Sequence, residues 1–168
     1  MELIKRVVHF FADIIYLCIG VYAIVCIPML AGYKPLVVLS GSMEPTFSVG
    51  SVIYYHSFNE SDLKVGDIVT YKLKDNKTLV SHRINNIENG LIETKGDANN
   101  VADSQKITVD SIIGVDADFY FPYVGYYIRF VNEHLYLVAC AVIILMSEFV
   151  LSNIDFSKKK RKENENGN

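Results

Sequence analysis

Two long apolar segments near the ends of the chain place the strongest constraint on its fold. Residues 14–33 are 20 residues without a charged side chain, and Leu135–Ile154 is a second run of 20 that only Glu148 interrupts. At ~1.5 Å per residue, a helix of this length spans the ~30 Å hydrocarbon core of a bilayer. A cleaved signal peptide, whose apolar region is about 7–15 residues long, fits the first run less well, and a buried helix fits the second less well. The sequence therefore predicts a transmembrane helix at each end.

Basic residues predict the orientation of these helices. Lys5 and Arg6 precede the first, and the run KKKRK at residues 158–162 follows the second. By the positive-inside rule both termini are cytoplasmic, in a multi-pass protein of the plasma membrane, or of the endoplasmic reticulum membrane in a eukaryote. The predicted organisation is a cytoplasmic N-terminus (1–13), a transmembrane helix (14–33), an extracytoplasmic or luminal domain (34–134), a transmembrane helix (135–154) and a basic, disordered cytoplasmic tail (155–168).

The middle of the chain has the pattern of a compact antiparallel β domain. Short runs rich in β-branched and aromatic residues alternate with turn sequences, and no helical periodicity is evident between residues 36 and 121. The aromatic stretch 119–131 fits a membrane-interface belt and the edge of a packed core equally well. The fold class is therefore mainly β, with strands predicted at 35–39, 51–55, 67–73, 79–87, 91–94 and 107–115.

Composition excludes several classes of function. The net charge is only −3, which argues against a nucleic-acid partner. The three cysteines, Cys18, Cys26 and Cys140, all lie in the apolar end segments, so no disulfide framework is indicated. No cluster of histidines and cysteines suggests a metal site, and we expect neither a metal nor another cofactor.

The segment SGSMEP at residues 40–45, called here the serine segment, follows a predicted strand directly. Pro45 fixes its own φ and disfavours helical backbone at Glu44, so Ser42 is expected on a sharp turn with stiff backbone around it. A nucleophilic serine needs such a presentation, although an ordinary turn has the same composition. A serine hydroxyl also needs a base, and His82 in the predicted strand 79–87 is the candidate.

The serine segment, the sequence Ser81-His82-Arg83-Ile84, and Thr94-Lys95-Gly96-Asp97 followed by Asp103 together resemble type I signal peptidases. They are most similar to the endoplasmic-reticulum-type branch, found also in archaea and some Gram-positive bacteria. That branch carries histidine where the common bacterial branch carries the lysine of a Ser/Lys dyad. The resemblance covers roughly residues 36–125. Ala98 departs from it, since many relatives have asparagine after Gly-Asp.

The resemblance implies a catalytic serine, base and acid. Ser42 is the expected nucleophile, His82 the base and Asp103 the acid that orients it, with the backbone N–H of Ser42 and the hydroxyl of Ser40 as oxyanion donors. Asp103 is preferred over Asp97 by family analogy. The supporting residues are Asp97, expected to pair with Arg83 or Lys95, together with Arg83 and Gly96.

The implied activity is removal of N-terminal signal peptides from exported preproteins, after small residues at positions −1 and −3. The implied partners are these preproteins and the lipid bilayer, and further membrane subunits stay open. Two alternatives remain. One is a Ser/Lys self-cleaving peptidase of related fold, with Lys95 or Lys72 as base. The other is a non-catalytic, membrane-anchored β module that serves in surface assembly.

Overall fold

The computed structural model of the protein describes residues 2–75 and 77–166, with side chains for residues 3–75 and 77–154. The chain divides into two compact units. Val25–Arg129 forms one, and the segments before and after it form the other. The residues expected to be catalytic, Ser42, His82 and Asp103, all lie within Val25–Arg129.

Two long helices dominate the terminal segments. Helix α1 (Glu2–Cys26) is followed by a 3-10 turn, and helix α3 comprises Leu135–Asn166. Two segments are long and apolar enough to cross a membrane: Leu3–Leu30, which includes most of α1 and of the 3-10 turn, and Leu135–Ile154, within α3. Helix α3 continues through residues for which the sequence predicts a disordered tail, and residues 167 and 168 of that tail lie outside the described residues. Where the membrane-spanning segments begin and end stays a prediction.

A six-stranded antiparallel sheet forms the middle unit, in the order β1-β2-β6-β3-β4-β5. This confirms a mainly β fold with one apolar helix at each end. The shorter helix α2 follows the sheet and comprises Val124–Glu133. The strands are β1 (Lys34–Val37), β2 (Val52–His56), β3 (Ile68–Lys72), β4 (Leu79–Glu88), β5 (Leu91–Lys95) and β6 (Ile112–Phe121).

The core explains how the serine segment is fixed. Met43 and Phe47 are each 3% exposed and pack with Ile53 of β2, which is 1% exposed. Burial of an apolar side chain of this size contributes about 1.5–3 kcal/mol, so these residues anchor the chain directly after Ser42. A second cluster, which includes Val69, Tyr71 and other residues of β3, β4 and β5, lies under the strand that carries His82.

The last strand differs from its predicted position. We expected a strand at 107–115, but β6 begins at Ile112, after a 3-10 turn at Val109–Ser111, and extends to Phe121. Burial alternates along the first half of β6, with residues 112, 114 and 116 buried. The last of these is Asp116, a charged residue that the sequence gave no reason to expect in the interior. Ile107 makes only an isolated bridge to Ile92.

Candidate active site

The serine segment lies in the connection from β1 to β2, and backbone hydrogen bonds hold its shape. The N–H of Glu44 donates to Gly41 O at 3.1 Å, and the N–H of Phe47 donates to Met43 O at 3.0 Å. The carbonyl oxygen of Ser42 accepts a 2.9 Å hydrogen bond from the N–H of Ala98, in the loop after β5. This last bond joins the serine segment to the loop that precedes Asp103.

His82 contacts both of its predicted partners. Its Nε2 lies 3.1 Å from Ser42 Oγ, and its Nδ1 lies 2.6 Å from Asp103 Oδ2. The residue is only 8% exposed, and strand β4 fixes its backbone by pairing His82 with Val69 of β3. Three residues from separate elements are thus connected in one hydrogen-bonded series, with a hydroxyl at one end and a carboxylate at the other.

Two residues not anticipated from the sequence hold the Asp103 carboxylate. Thr94 Oγ1 donates to Asp103 Oδ2 at 2.7 Å and the Tyr71 hydroxyl donates to the same oxygen at 3.2 Å. Burial raises the pKa of Asp103, but the hydrogen bonds from His82, Thr94 and Tyr71 outweigh it and the pKa is lowered. Burial also raises the pKa of Tyr71 to about 12, so its hydroxyl remains a donor. The sequence signal that could have indicated them is a hydroxyl-bearing side chain at a buried position of β3 and of β5.

Asp97 makes a different set of contacts. Its carboxylate receives hydrogen bonds from Arg83 Nε at 2.9 Å and Arg83 Nη2 at 2.6 Å, and from Thr46 Oγ1 at 2.5 Å. The hydrogen bonds from Arg83 are the main reason that the pKa of Asp97 is lowered. Arg83 also donates through Nη1 to Gly66 O at 2.8 Å. Asp97 therefore links β4, the residue that follows the serine segment and the loop after β5. Of the two pairings expected for it, the structure contains the one with Arg83.

Gly96 occupies a position with no room for a side chain. A Cβ atom there would lie 2.6 Å from Ser42 O and 3.0 Å from His82 Nε2. The first of these atoms belongs to the backbone and cannot move aside cheaply. The absence of a side chain at Gly96 thus permits the close approach of the nucleophile and base segments.

An apolar groove of about 670 Å³ adjoins Ser42 and His82. Ser40 lies at its edge, with its Oγ 3.4 Å from Ser42 Oγ. Among the residues that the structure describes, no group of three or more histidine, cysteine, aspartate or glutamate side chains is arranged to hold a metal ion. The apolar lining of the groove includes Leu36, Val38, Met43, Phe47, Ile53 and Val80.

Comparison with known proteins identifies the family, although no family model matches the chain. Signal peptidase I W of Bacillus subtilis is 39% identical over 90 residues, which are 51% of this chain and 47% of that protein. The signal peptidase complex catalytic subunit SEC11 of Zygosaccharomyces rouxii is 35% identical over 132 residues, 70% of this chain and 77% of that protein. The chain belongs to the signal peptidase I family. The SEC11 subunit of Lodderomyces elongisporus is 36% identical to this signal peptidase over 113 residues, 60% of this chain and 67% of that protein.

The resemblance to the endoplasmic-reticulum-type branch is thereby confirmed. This signal peptidase spans about half the length of signal peptidase I W, with 47% of it covered, and a larger share of the SEC11 subunits. Membership in the family makes the chain a peptidase.

Proposed function

We propose that this signal peptidase is a serine endopeptidase that removes N-terminal signal peptides from exported preproteins, cutting after small residues at positions −1 and −3. The observation that supports this most strongly is the hydrogen-bonded series Ser42–His82–Asp103 at the edge of an apolar groove. Neither the Ser/Lys alternative nor a non-catalytic module is favoured, because the base that contacts Ser42 is an imidazole and the relatives are catalytic subunits.

The proposed reaction is acyl transfer in two steps. Ser42 Oγ attacks the scissile carbonyl carbon while His82 Nε2 accepts the hydroxyl proton, which it then gives to the leaving amine. Water next attacks the acyl-enzyme, again with His82 as base. Asp103 accepts the Nδ1–H hydrogen bond, which fixes the tautomer of His82 and stabilises its imidazolium form. Thr94 and Tyr71 hold the carboxylate in place for this task.

Oxyanion stabilisation is assigned to the backbone N–H of Ser42 and the hydroxyl of Ser40. The position of Ser40 Oγ, 3.4 Å from Ser42 Oγ, supports its role, because an oxyanion that forms at the attacked carbonyl lies close to the nucleophile. One such donor is worth about 3–4 kcal/mol of transition-state stabilisation. The apolar groove beside it suits small aliphatic side chains of an extended peptide.

The membrane setting follows from the family and from the two apolar helices. We assign both termini to the cytoplasm and the β domain to the outer or luminal side, where signal peptides emerge. Single cysteines introduced near each terminus and at Lys77, with the native cysteines replaced, test this with an impermeant thiol reagent on sealed cells. Labelling only at position 77 supports the assignment, and labelling at either terminus overturns it.

Processing of a precursor that ends its signal peptide in Ala-x-Ala tests the catalytic proposal. In cells without another signal peptidase, or with purified protein in detergent, wild type should cut it, whereas Ser42→Ala and His82→Ala should not. Ser57→Ala is a matched control at an exposed serine and should cut normally. Normal cutting by Ser42→Ala would falsify the assignment of the nucleophile.

Lysine substitutions separate the histidine base from a lysine base. Lys72 ends β3 with an exposed side chain, Lys95 ends β5, and Lys77 lies along the groove. Each alanine variant should retain substantial activity. If one of them proves as damaging as Ser42→Ala while His82→Ala remains active, the Ser/Lys alternative is correct.

A further inference from the structure

A chain of polar side chains connects a buried carboxyl group to the groove. Asp116 on β6 is 8% exposed, and its Oδ1 accepts a 2.6 Å hydrogen bond from Thr70 Oγ1. Thr70 is fully buried, and its Oγ1 lies 2.7 Å from Ser81 Oγ. Ser81 lies next to His82 on β4 and lines the groove beside Ser42. The three hydroxyl and carboxyl groups therefore form one path across the sheet, separate from the contacts of Asp103.

The direction of this chain depends on the charge of the carboxyl group, since each hydroxyl has a single proton. When Asp116 is ionised it can only accept, so Thr70 donates to it and accepts the proton of Ser81. Ser81 then presents only lone pairs to the groove. When Asp116 is protonated on Oδ1, it donates to Thr70 and Thr70 donates to Ser81. The proton of Ser81 is then free to point towards a bound peptide.

The surroundings of Asp116 favour Oδ1 as the protonated oxygen. Among the described residues, its Oδ2 is buried and has no hydrogen-bond partner, so a proton there would be a buried donor without an acceptor. A proton on Oδ1 instead meets Thr70 Oγ1, which can accept it. Protonation of this residue therefore reverses the chain rather than leaving it unchanged.

Burial raises the pKa of Asp116 to about 7, against smaller lowering effects of Thr70, Ser81 and His56. The reversal therefore falls near neutral pH. Asp116 borders a second cleft, of about 570 Å³. The titratable and charged groups that face it there or across the strand pair are Tyr33, Tyr55, His56, Asp67, Arg83, Asp118 and Tyr120.

We propose that Asp116 is a positioning residue for substrate binding, which acts through Thr70 to set whether the Ser81 hydroxyl offers a donor or only an acceptor to the peptide in the groove. The proposal rests on the proposed function, since it takes the groove to be the peptide site. The protonated form binds more tightly, because Ser81 then has both a proton and a lone pair for the peptide backbone. The ionised form has lone pairs only, which repel a peptide carbonyl oxygen.

Steady-state cleavage by the purified full chain in detergent, from about pH 6 to about pH 8, tests this. The KM of wild type for an Ala-x-Ala precursor peptide should rise about three- to tenfold over that range, the factor expected for one neutral hydrogen bond. Asp116→Asn and Ser81→Ala should have a KM independent of pH, because the first cannot ionise and the second has no hydroxyl. The matched control Asp110→Asn, an exposed carboxylate in the turn before the same strand, should keep the wild-type profile.

Two further measurements make the result decisive. The kcat of every variant should keep the wild-type pH dependence, because none of these substitutions removes a member of the Ser42–His82–Asp103 series. A merely structural defect would not make KM independent of pH while leaving the profile of kcat unchanged. The affinity of Ser42→Ala for the uncut peptide should fall between about pH 6 and pH 8. The double variant that also carries Asp116→Asn should bind the peptide with an affinity that does not depend on pH. If Asp116→Asn does not fold, Ser81→Ala decides.

The outcomes separate this inference from the proposed function. A wild-type KM that is flat between about pH 6 and pH 8, or a KM that rises equally in wild type and Ser81→Ala, overturns the role of Asp116 while leaving the peptidase assignment intact. Failure of wild type to cut any Ala-x-Ala precursor contradicts the proposed function instead.

Discussion

Replacement of Asp97 by alanine should destabilise the β domain much more than it alters the chemistry. The variant leaves the Nε and Nη2 of Arg83 without the carboxylate that they contact at 2.9 and 2.6 Å, and it removes the acceptor of Thr46. Among the residues that the structure describes, the 2.8 Å hydrogen bond from Arg83 Nη1 to Gly66 O is what remains of the network around the guanidinium.

The magnitude follows from the number of bonds and their exposure. Two hydrogen bonds between charged groups are worth about 1.5–3 kcal/mol each. The side chains of Arg83 and Asp97 are 37% and 16% exposed, so solvent weakens the pair. We expect a loss of about 2–4 kcal/mol in the free energy of unfolding, which corresponds to a Tm lower by roughly 10–20 °C for a domain of this size.

Thermal melting and turnover, measured on the same detergent-solubilised samples, check this prediction. Activity should fall roughly in step with the folded fraction, and Asp110→Ala, at an exposed carboxylate, should melt like wild type. Because the pKa of Asp97 is lowered, its contribution is present above the unfolded value and lost as the pH falls through the folded value. The difference from wild type should therefore shrink below about pH 4. If Asp97 variants melt normally but lose all turnover, while Asp103 variants stay active, then Asp97 orients His82 and Asp103 has the structural role.

Three more predictions follow from single contacts. Asp103→Asn should fold normally yet lose between about 10² and 10⁴ in kcat, because an amide cannot stabilise the imidazolium of His82, and wild-type turnover would contradict this. Gly96→Ala should lose most activity while remaining folded, since its Cβ would lie 2.6 Å from Ser42 O; a crystal structure and a kinetic assay check it. The raised pKa of Asp116, about 7, means that its contribution to stability is full below about pH 4 and lost as the pH rises through 7. Between about pH 5 and pH 8, the free energy of unfolding of Asp116→Asn in denaturant melts should therefore fall less than that of wild type. If the two free energies change in parallel with pH, the raised pKa of Asp116 is refuted.

Local sequence was sufficient for the parts of the site that depend on short motifs. The serine segment combines a strand end, a turn and a proline within a few residues, so the position of Ser42 on a turn could be predicted. The strand around His82 could be predicted as well, whereas the sequence left Arg83 and Lys95 open as partners of Asp97. These segments could be predicted as strands because the apolar runs are short and separated by turn residues.

The features that were missed depend on which strands are neighbours. Tyr71 and Thr94 reach Asp103 only because β3, β4 and β5 are adjacent, and Asp116 reaches Thr70 only because β6 lies beside β3. No local pattern specifies such an order. The polar side chain of Asp116 also weakened the alternation that would have extended the last predicted strand to Phe121.

The place of β6 in the sheet has a consequence for the folding of the newly synthesised chain. The strand is last in sequence but lies between β2 and β3, where it pairs with both. Ser42 lies in the connection between β1 and β2, whereas His82 lies on β4 and Asp103 follows β5. Before residues 112–121 are synthesised and inserted, these two groups of strands share no hydrogen-bonded neighbour.

Such non-local pairing is slow compared with the closure of a hairpin. In a nascent chain that lacks β6, Ser42 and His82 therefore belong to pieces of sheet that no strand pairing joins, and contacts such as the 2.9 Å hydrogen bond from Ala98 N to Ser42 O are left to connect them. We expect the strand order to delay assembly of the candidate site until β6 has paired with both β2 and β3.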